Sequence, residues 1–124
     1  MKIAVPTQGA TLDDQVDPRF GRCSHFLIVE TDTMEFEAIE NNNAGVGGGA
    51  GIQSAQLMAD RDVKIVLTGN CGPNAFRTLN AAGIEVVVGV SGSAQEAVDK
   101  FKAGDLSSSS SPNVAGHFGS PKQQ

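Results

Sequence analysis

The chain has 124 residues, 14 acidic and nine basic side chains, a net charge of −5 and a pI near 4.8. That length suits one domain around one shared core, and the acidic balance disfavours nucleic acid as a partner, because a phosphate-backbone footprint depends on clustered Lys and Arg. No apolar run approaches membrane-spanning length, and residues 1–5 lead into Pro6 instead of a secretory hydrophobic region, so no membrane partner, a cytoplasmic location and reduced thiols at Cys23 and Cys71 are expected.

The chain opens on an apolar strand at residues 2–5, which Pro6 is expected to stop, followed by a polar loop over residues 7–22. Residues 25–30 form a second strand. Residues 34–40 alternate apolar and charged side chains as a third, and the link Thr31-Asp32-Thr33 is so short that the pair must be an antiparallel hairpin, with Glu35 and Glu37 toward solvent at a sheet edge. After an Asn- and Gly-rich loop at 41–51, Ile52, Ala55, Met58 and Ala59 recur at helical spacing. Residues 63–68 and 84–88 are short β-branched runs separated by a helix over 73–82 that Gly83 closes, a βαβ unit and therefore a parallel pair. Ser93 and Glu96 form a capping box opening a last helix, with Ala94, Ala97, Val98 and Phe101 inward and Gly104 as its stop. The sum is a three-layer α/β/α domain at 1–106, with a five-stranded mixed sheet, the first strand central and the hairpin at one edge. The serine run and the sparsely apolar segment after it mark 107–124 as a disordered tail.

Ligands in open α/β sheets gather beyond the carboxyl ends of the parallel strands. Three loops rich in small residues leave such ends: Pro6-Thr7-Gln8-Gly9, Gly69-Asn70-Cys71-Gly72 and Gly89-Val90-Ser91-Gly92. Cys71 carries the most chemistry. It sits between glycines just before Pro73, a residue suited to a helix's first turn, and the unpaired amides and dipole at a helix N-terminus favour a thiolate, a sulfide-rich cluster or an oxyanion. The alternative is a small apolar filler in a glycine turn. Arg22 has a donor fork suited to an anionic ligand, or it pairs with Asp14, Asp17 or another acid.

Three motifs together carry a resemblance: Val-Asp-Pro-Arg-Phe-Gly-Arg-Cys-Ser-His-Phe at 16–26, the loop at 41–51, and Gly-Asn-Cys-Gly-Pro-Asn-Ala at 69–75. In this order they resemble the hallmarks of the dinitrogenase iron-molybdenum cofactor biosynthesis family, over residues 2–104. The resemblance implies a ribonuclease H-like fold and the binding or carriage of an iron-molybdenum cofactor or related iron-sulfur cluster. Small stand-alone members are also similar, so a simpler metal-sulfide species is a possible ligand, and donor and acceptor proteins for the cluster are the implied partners. The expected contacts are Cys71 as a sulfur ligand, with Gly69, Asn70, Gly72, Arg22 and Thr7 around the cargo. Cys23 and His25 alternate on an expected strand and so face one side, which makes them weaker ligand candidates, with a packed thiol and a satisfied ring as the other reading. His117 falls in the tail.

Other constellations lack their context. The glycines at 45–49 follow an edge hairpin and not the first strand of a βαβ unit, so a dinucleotide fingerprint is not expected there. Asp13, Asp14 and Asp17 lack calcium-loop spacing. No Gly-x-Ser-x-Gly elbow is present, and the first strand has no carboxylate for two-metal nuclease chemistry. A non-enzymatic carrier is therefore expected, with a metal-free anion- or nucleotide-binding regulatory module as the alternative. Deleting residues 107–124 should leave the melting temperature nearly unchanged, and a fall of many degrees in a thermal melt would show that the tail packs on the domain.

Overall fold

A computed structural model describes residues 1–42 and 50–107. Five strands form one sheet in the order β3-β2-β1-β4-β5: β1 at Lys2–Thr7, β2 at His25–Glu30, β3 at Phe36–Glu40, β4 at Ile65–Leu67 and β5 at Glu85–Val87. β1 pairs antiparallel with β2 and parallel with β4, so the sheet is mixed and β1 is central, as the sequence pattern indicates. Period-two alternation sorts the strand side chains onto two faces. On one face Ala4, Phe26, Ile28, Val66 and Val86 pack with α1 (Ala50–Asp60) and α2 (Pro73–Ala81). On the other, Ile3, Val5, Leu27, Val29 and Leu67 pack with α3 (Ala94–Lys102). Each face buries aliphatic area worth about 25 cal/mol per Å² removed from water, and neither helix layer could be lost without exposing a row of β-branched side chains.

Local chemistry sets the ends of these elements. Ser93 accepts from the Glu96 N–H while the Glu96 carboxylate accepts from the Ser93 N–H, which satisfies two orphan amides at the start of α3. Gly83, at a φ of +78°, turns the chain out of α2 in the left-handed region and lets the Ile84 N–H return to the Leu79 carbonyl. Tying the hairpin to β1, the Met1 ammonium pairs with Glu30 and Asp32, and Arg61 at the end of α1 reaches Glu37 of β3 at 2.7 Å.

Four expectations need correction. Pro6 does not stop β1, which runs on to Thr7 with Pro6 paired to Phe26. The carbonyls of Lys2 and Pro6 both accept bonds on the side away from β2, so the N–H that proline lacks points there too, beyond the last β4 pair at Ala4. No β2 bond is lost, and the usual objection to a central proline does not apply. Met34 lies outside β3, in the left-handed region at a φ of 63°, because it completes the turn that returns its N–H to the Glu30 carbonyl. β4 and β5 are three residues each, shorter than the apolar runs that contain them. In α1, Ala59 is exposed and Ser54 is fully buried instead.

Among the described residues Ser54 Oγ has no hydrogen-bond partner. A buried hydroxyl left unpaired costs about 1–3 kcal/mol, and alanine also has the better helix propensity. Ser54→Ala should therefore raise the unfolding free energy by about 1 kcal/mol, measured by urea titration. A loss of stability would mean that the hydroxyl has a partner.

Candidate functional site

The loops that leave β1, β4 and β5 are stitched together by backbone bonds at the carboxyl end of the parallel strands. Gly89 N–H donates to the Gly69 carbonyl at 2.8 Å, Val90 N–H to Thr68 at 3.1 Å, and Val16 N–H to Gly92 at 2.9 Å. Asp17 N–H donates to the Pro6 carbonyl at 2.8 Å, which brings the start of the arginine-bearing loop to the end of β1. That loop then crosses to the cysteine turn. Arg19 bridges Asn70 in parallel register, and Phe20 N–H donates to the Asn70 carbonyl at 3.3 Å. At the crossing a Cβ on Gly69 would lie 2.7 Å from Pro18 Cα, so position 69 must be glycine for the two backbones to meet. The turn at 69–72 and the segment 17–24, read from sequence as separate candidates, form one seam.

Each expected site residue can now be located. Thr7 is fully buried, and its hydroxyl donates to the Gly9 carbonyl at 2.6 Å, fixing the bend after β1. Gly69, Asn70 and Gly72 are half-buried around Cys71. Asn70 is engaged through its carbonyl, which also accepts from Thr68 Oγ1 at 3.2 Å. Arg22 is exposed and makes no ion pair among the described residues, because the acids proposed for it are committed elsewhere: Asp14 accepts from Thr11, and Asp17 from the backbone and side chain of Arg19. A shallow depression lined by Gln8, Asp17, Arg19, Arg22, Cys23 and Ser24 lies over this loop. Two arginines and two neutral polar side chains around one buried carboxylate make a surface suited to an anion.

Cys23 and His25 do not face the same side. Cys23 precedes β2 and packs with Phe20, Phe26 and Cys71 on the α1–α2 face, whereas His25 begins the strand in register with Thr7. The alternation that would align them starts only at His25, after a turn held by the buried Asn41 amide, whose Nδ2 donates to the carbonyls of Cys23 and Gly21 at 2.8 and 3.0 Å. His25 Nδ1 lies 3.0 Å from Ser24 Oγ. Among the described residues no three His, Cys, Asp or Glu side chains converge as a metal site. His117, residues 43–49 of the loop motif and all but the first residue of the tail lie outside the described residues.

Both thiols are buried, at 0% exposure for Cys23 and 1% for Cys71, and they share one apolar cluster. The expectation of a favoured thiolate at Cys71 fails in this conformation. Burial pushes its pKa up to about 12, and burial together with the charge of Asp17 does the same for Cys23. Proximity to a helix N-terminus does not offset the loss of water around a desolvated sulfur.

Three residues that build the site, Asp17, Arg19 and Asn41, lie within the sequence motifs at 16–26 and 41–51 without an expected role as site residues. The Asp-Pro-Arg run carried a signal for the first two, since an Asp side chain accepting from the N–H two residues on is an Asx turn, here 2.9 Å from Asp17 Oδ1 to the Arg19 N–H. Asn41 gave none.

The family model described as dinitrogenase iron-molybdenum cofactor matches residues 1–104. The chain belongs to that family. A Methanocaldococcus jannaschii protein described as uncharacterized is 35% identical over 109 residues, covering 86% of this chain and 89% of that protein. Among solved structures, the apo form of the orange protein from Desulfovibrio gigas has a TM-score of 0.89 at 39% identity, covering 91% of this chain and 96% of that one. A Thermotoga protein solved by NMR and assigned to the DUF35 family has a TM-score of 0.80 at 34% identity, with 93% and 98% covered. The sheet order and helix layers described above are thus the architecture of this cofactor family. No helix among the described residues is long and apolar enough to cross a membrane.

A thiol whose pKa is raised from 9.0 to about 12 on folding stabilises the fold fully below pH 9, and that contribution is lost as pH rises toward 12. Denaturant midpoints should therefore fall between pH 9 and 12 more steeply for wild type than for Cys71→Ala. Iodoacetamide at pH 8 should label neither cysteine in the native protein and both in denaturant. Rapid native labelling at Cys71 would place its sulfur at the surface.

Proposed function

We propose that this protein is a non-enzymatic carrier that takes up an anionic metal-sulfide cluster, of the iron-sulfur or iron-molybdenum type, and passes it between donor and acceptor proteins. The observation that carries this reading is the seam at which Arg19 bridges Asn70, since it sets two arginines beside a glycine turn at the sheet's carboxyl end. Family membership supports it, and so does similarity to a protein described in an apo form. The carrier unit is residues 1–106. Arg22 and the amides of Gly69, Asn70 and Gly72 balance the negative charge of the cargo, while Thr7 holds the bend beside it. Cys71 supplies a sulfur ligand once the turn opens and the thiol loses its proton, with Cys23 and His25 as weaker candidates. Few protein-to-metal bonds suit a cargo that must leave again, as does the want of a three-ligand cluster among the described residues.

One observation favours a second reading, a metal-free anion- or nucleotide-binding regulatory module. The thiols are buried and protonated while the arginines are exposed, so an oxyanion needs no rearrangement to bind. Colour separates the two, because a cluster absorbs visible light and a nucleotide does not.

Anaerobic incubation with iron and sulfide should give a visible band that persists through desalting. Cys71→Ser and Arg22→Gln should each weaken uptake about tenfold, and Cys23→Ser much less, once circular dichroism shows each variant folded. A colourless protein after reconstitution with iron and sulfide and with preformed iron-molybdenum cofactor would overturn the carrier reading. Folded Cys71→Ser that takes up cluster like wild type would remove Cys71 as a ligand.

A further inference from the structure

Among the described residues β3 is an edge strand with no strand on its outer side, and its register fixes which groups face outward. Glu30 N–H donates to the Glu35 carbonyl and Asn41 N–H to the Ser24 carbonyl, both at 2.8 Å. Residues 35, 37, 39 and 41 therefore direct their backbone groups at β2, and Phe36, Ala38 and Glu40 direct theirs away from the sheet. Among the described residues nothing pairs with those outward groups. Phe36 is 42% exposed, and Ala38 and Glu40 are exposed as well. Charge along the strand has one sign: Glu35 and Glu40 make no ion pair among the described residues, and Glu37 is met by Arg61. Beside the strand lies a depression lined by Lys2, Ile28, Glu30, Glu35, Phe36 and Glu37, with the buried Ile28 among its walls and three carboxylates around it.

We propose that this edge accepts an extended segment of a partner protein, in which Lys or Arg alternates with aliphatic residues, as a sixth strand. Free N–H and C=O groups on alternate residues supply the ladder, and the glutamates select the sign of the partner. A second copy of this chain is the poorer occupant, since residues 35–40 carry three glutamates and no Lys or Arg, so that β3 paired with itself leaves every one of those charges without a cation from the added strand. The partner is thus a basic, apolar strand. Glu35 and Glu37 lie on one face of the strand and Glu40 on the other, so the basic residues of the partner would meet the first two. Glu40 pairs with His25, so the far end of the docked strand would reach the end of the sheet where the loops of the candidate site gather. The inference goes beyond the carrier reading and does not depend on it, because it needs no cargo.

The probe is a short blocked peptide alternating lysine with valine, compared with one alternating glutamate with valine, both added to cargo-free full-length protein. The lysine peptide should bind at least about tenfold tighter and weaken with added salt, and it should slow amide exchange at Phe36, Ala38 and Glu40 by about tenfold. Ala38→Pro removes one outward N–H without touching a β2 bond, and should weaken binding about tenfold with little change in melting temperature. Equal affinity for the two peptides would overturn the proposal. So would binding that leaves those three amides unprotected, unaltered binding by folded Ala38→Pro, or a β3-mediated dimer in sedimentation of the protein alone. Should Ala38→Pro unfold, the exchange pattern in wild type decides.

Discussion

β1 is the constraint on which the rest of the structure depends. Among the described strands it alone has an antiparallel neighbour on one side and a parallel neighbour on the other. Its residues Ile3, Ala4 and Val5 are fully buried between the two helix layers, so its position cannot drift without breaking both cores. The change of direction across β1 means that the chain leaves the sheet at its carboxyl end on one side and enters it on the other. The loops after β1 and β4 and the segment before β2 are thereby delivered to one place. Topology therefore puts the candidate site at that end before any side chain is considered.

Much of this architecture was legible in the sequence because it rests on local rules. The capping box at Ser93, the positive-φ stop at Gly83 and the period-two rows of β1 and β2 depend on few neighbours, and the structure has them where the pattern puts them. The misreadings occurred where a tertiary contact outweighed a local preference. Pro6 remains in a strand because its missing donor falls beyond the ladder, and the buried stripe of α1 extends from Ala55 and Met58 toward Ser54 and not toward Ala59, neither of which a window of sequence contains.

The candidate site was legible by place and less so by chemistry. Its parts lie about 50 residues apart in the chain, and the Asp17 turn, the Arg19–Asn70 bridge and the Gly69 close approach bring them into register. Burial inverted the reading of Cys71. A glycine-flanked cysteine at a helix start looks activated, yet the packing of Phe20, Ala75 and Phe76 in the same cluster removes the water that a thiolate needs. The charge that the surface does offer is carried by Arg19 and Arg22, one tethered to Asp17 and the other unpaired among the described residues. In this conformation the site thus presents positive charge at the surface and keeps its sulfur beneath it.

The approach of Gly69 to Pro18 has a consequence for how the sequence can vary. A side chain at position 69 would collide chiefly with Pro18 Cα, an atom that every amino acid carries. Replacing Pro18, even by glycine, leaves that atom in place. No second substitution at the point of contact can restore a chain that has lost Gly69, unlike a core clash, which a smaller neighbour relieves. Position 69 should therefore tolerate change only through movement of the whole loop, and variants there should find no single-residue suppressor at position 18.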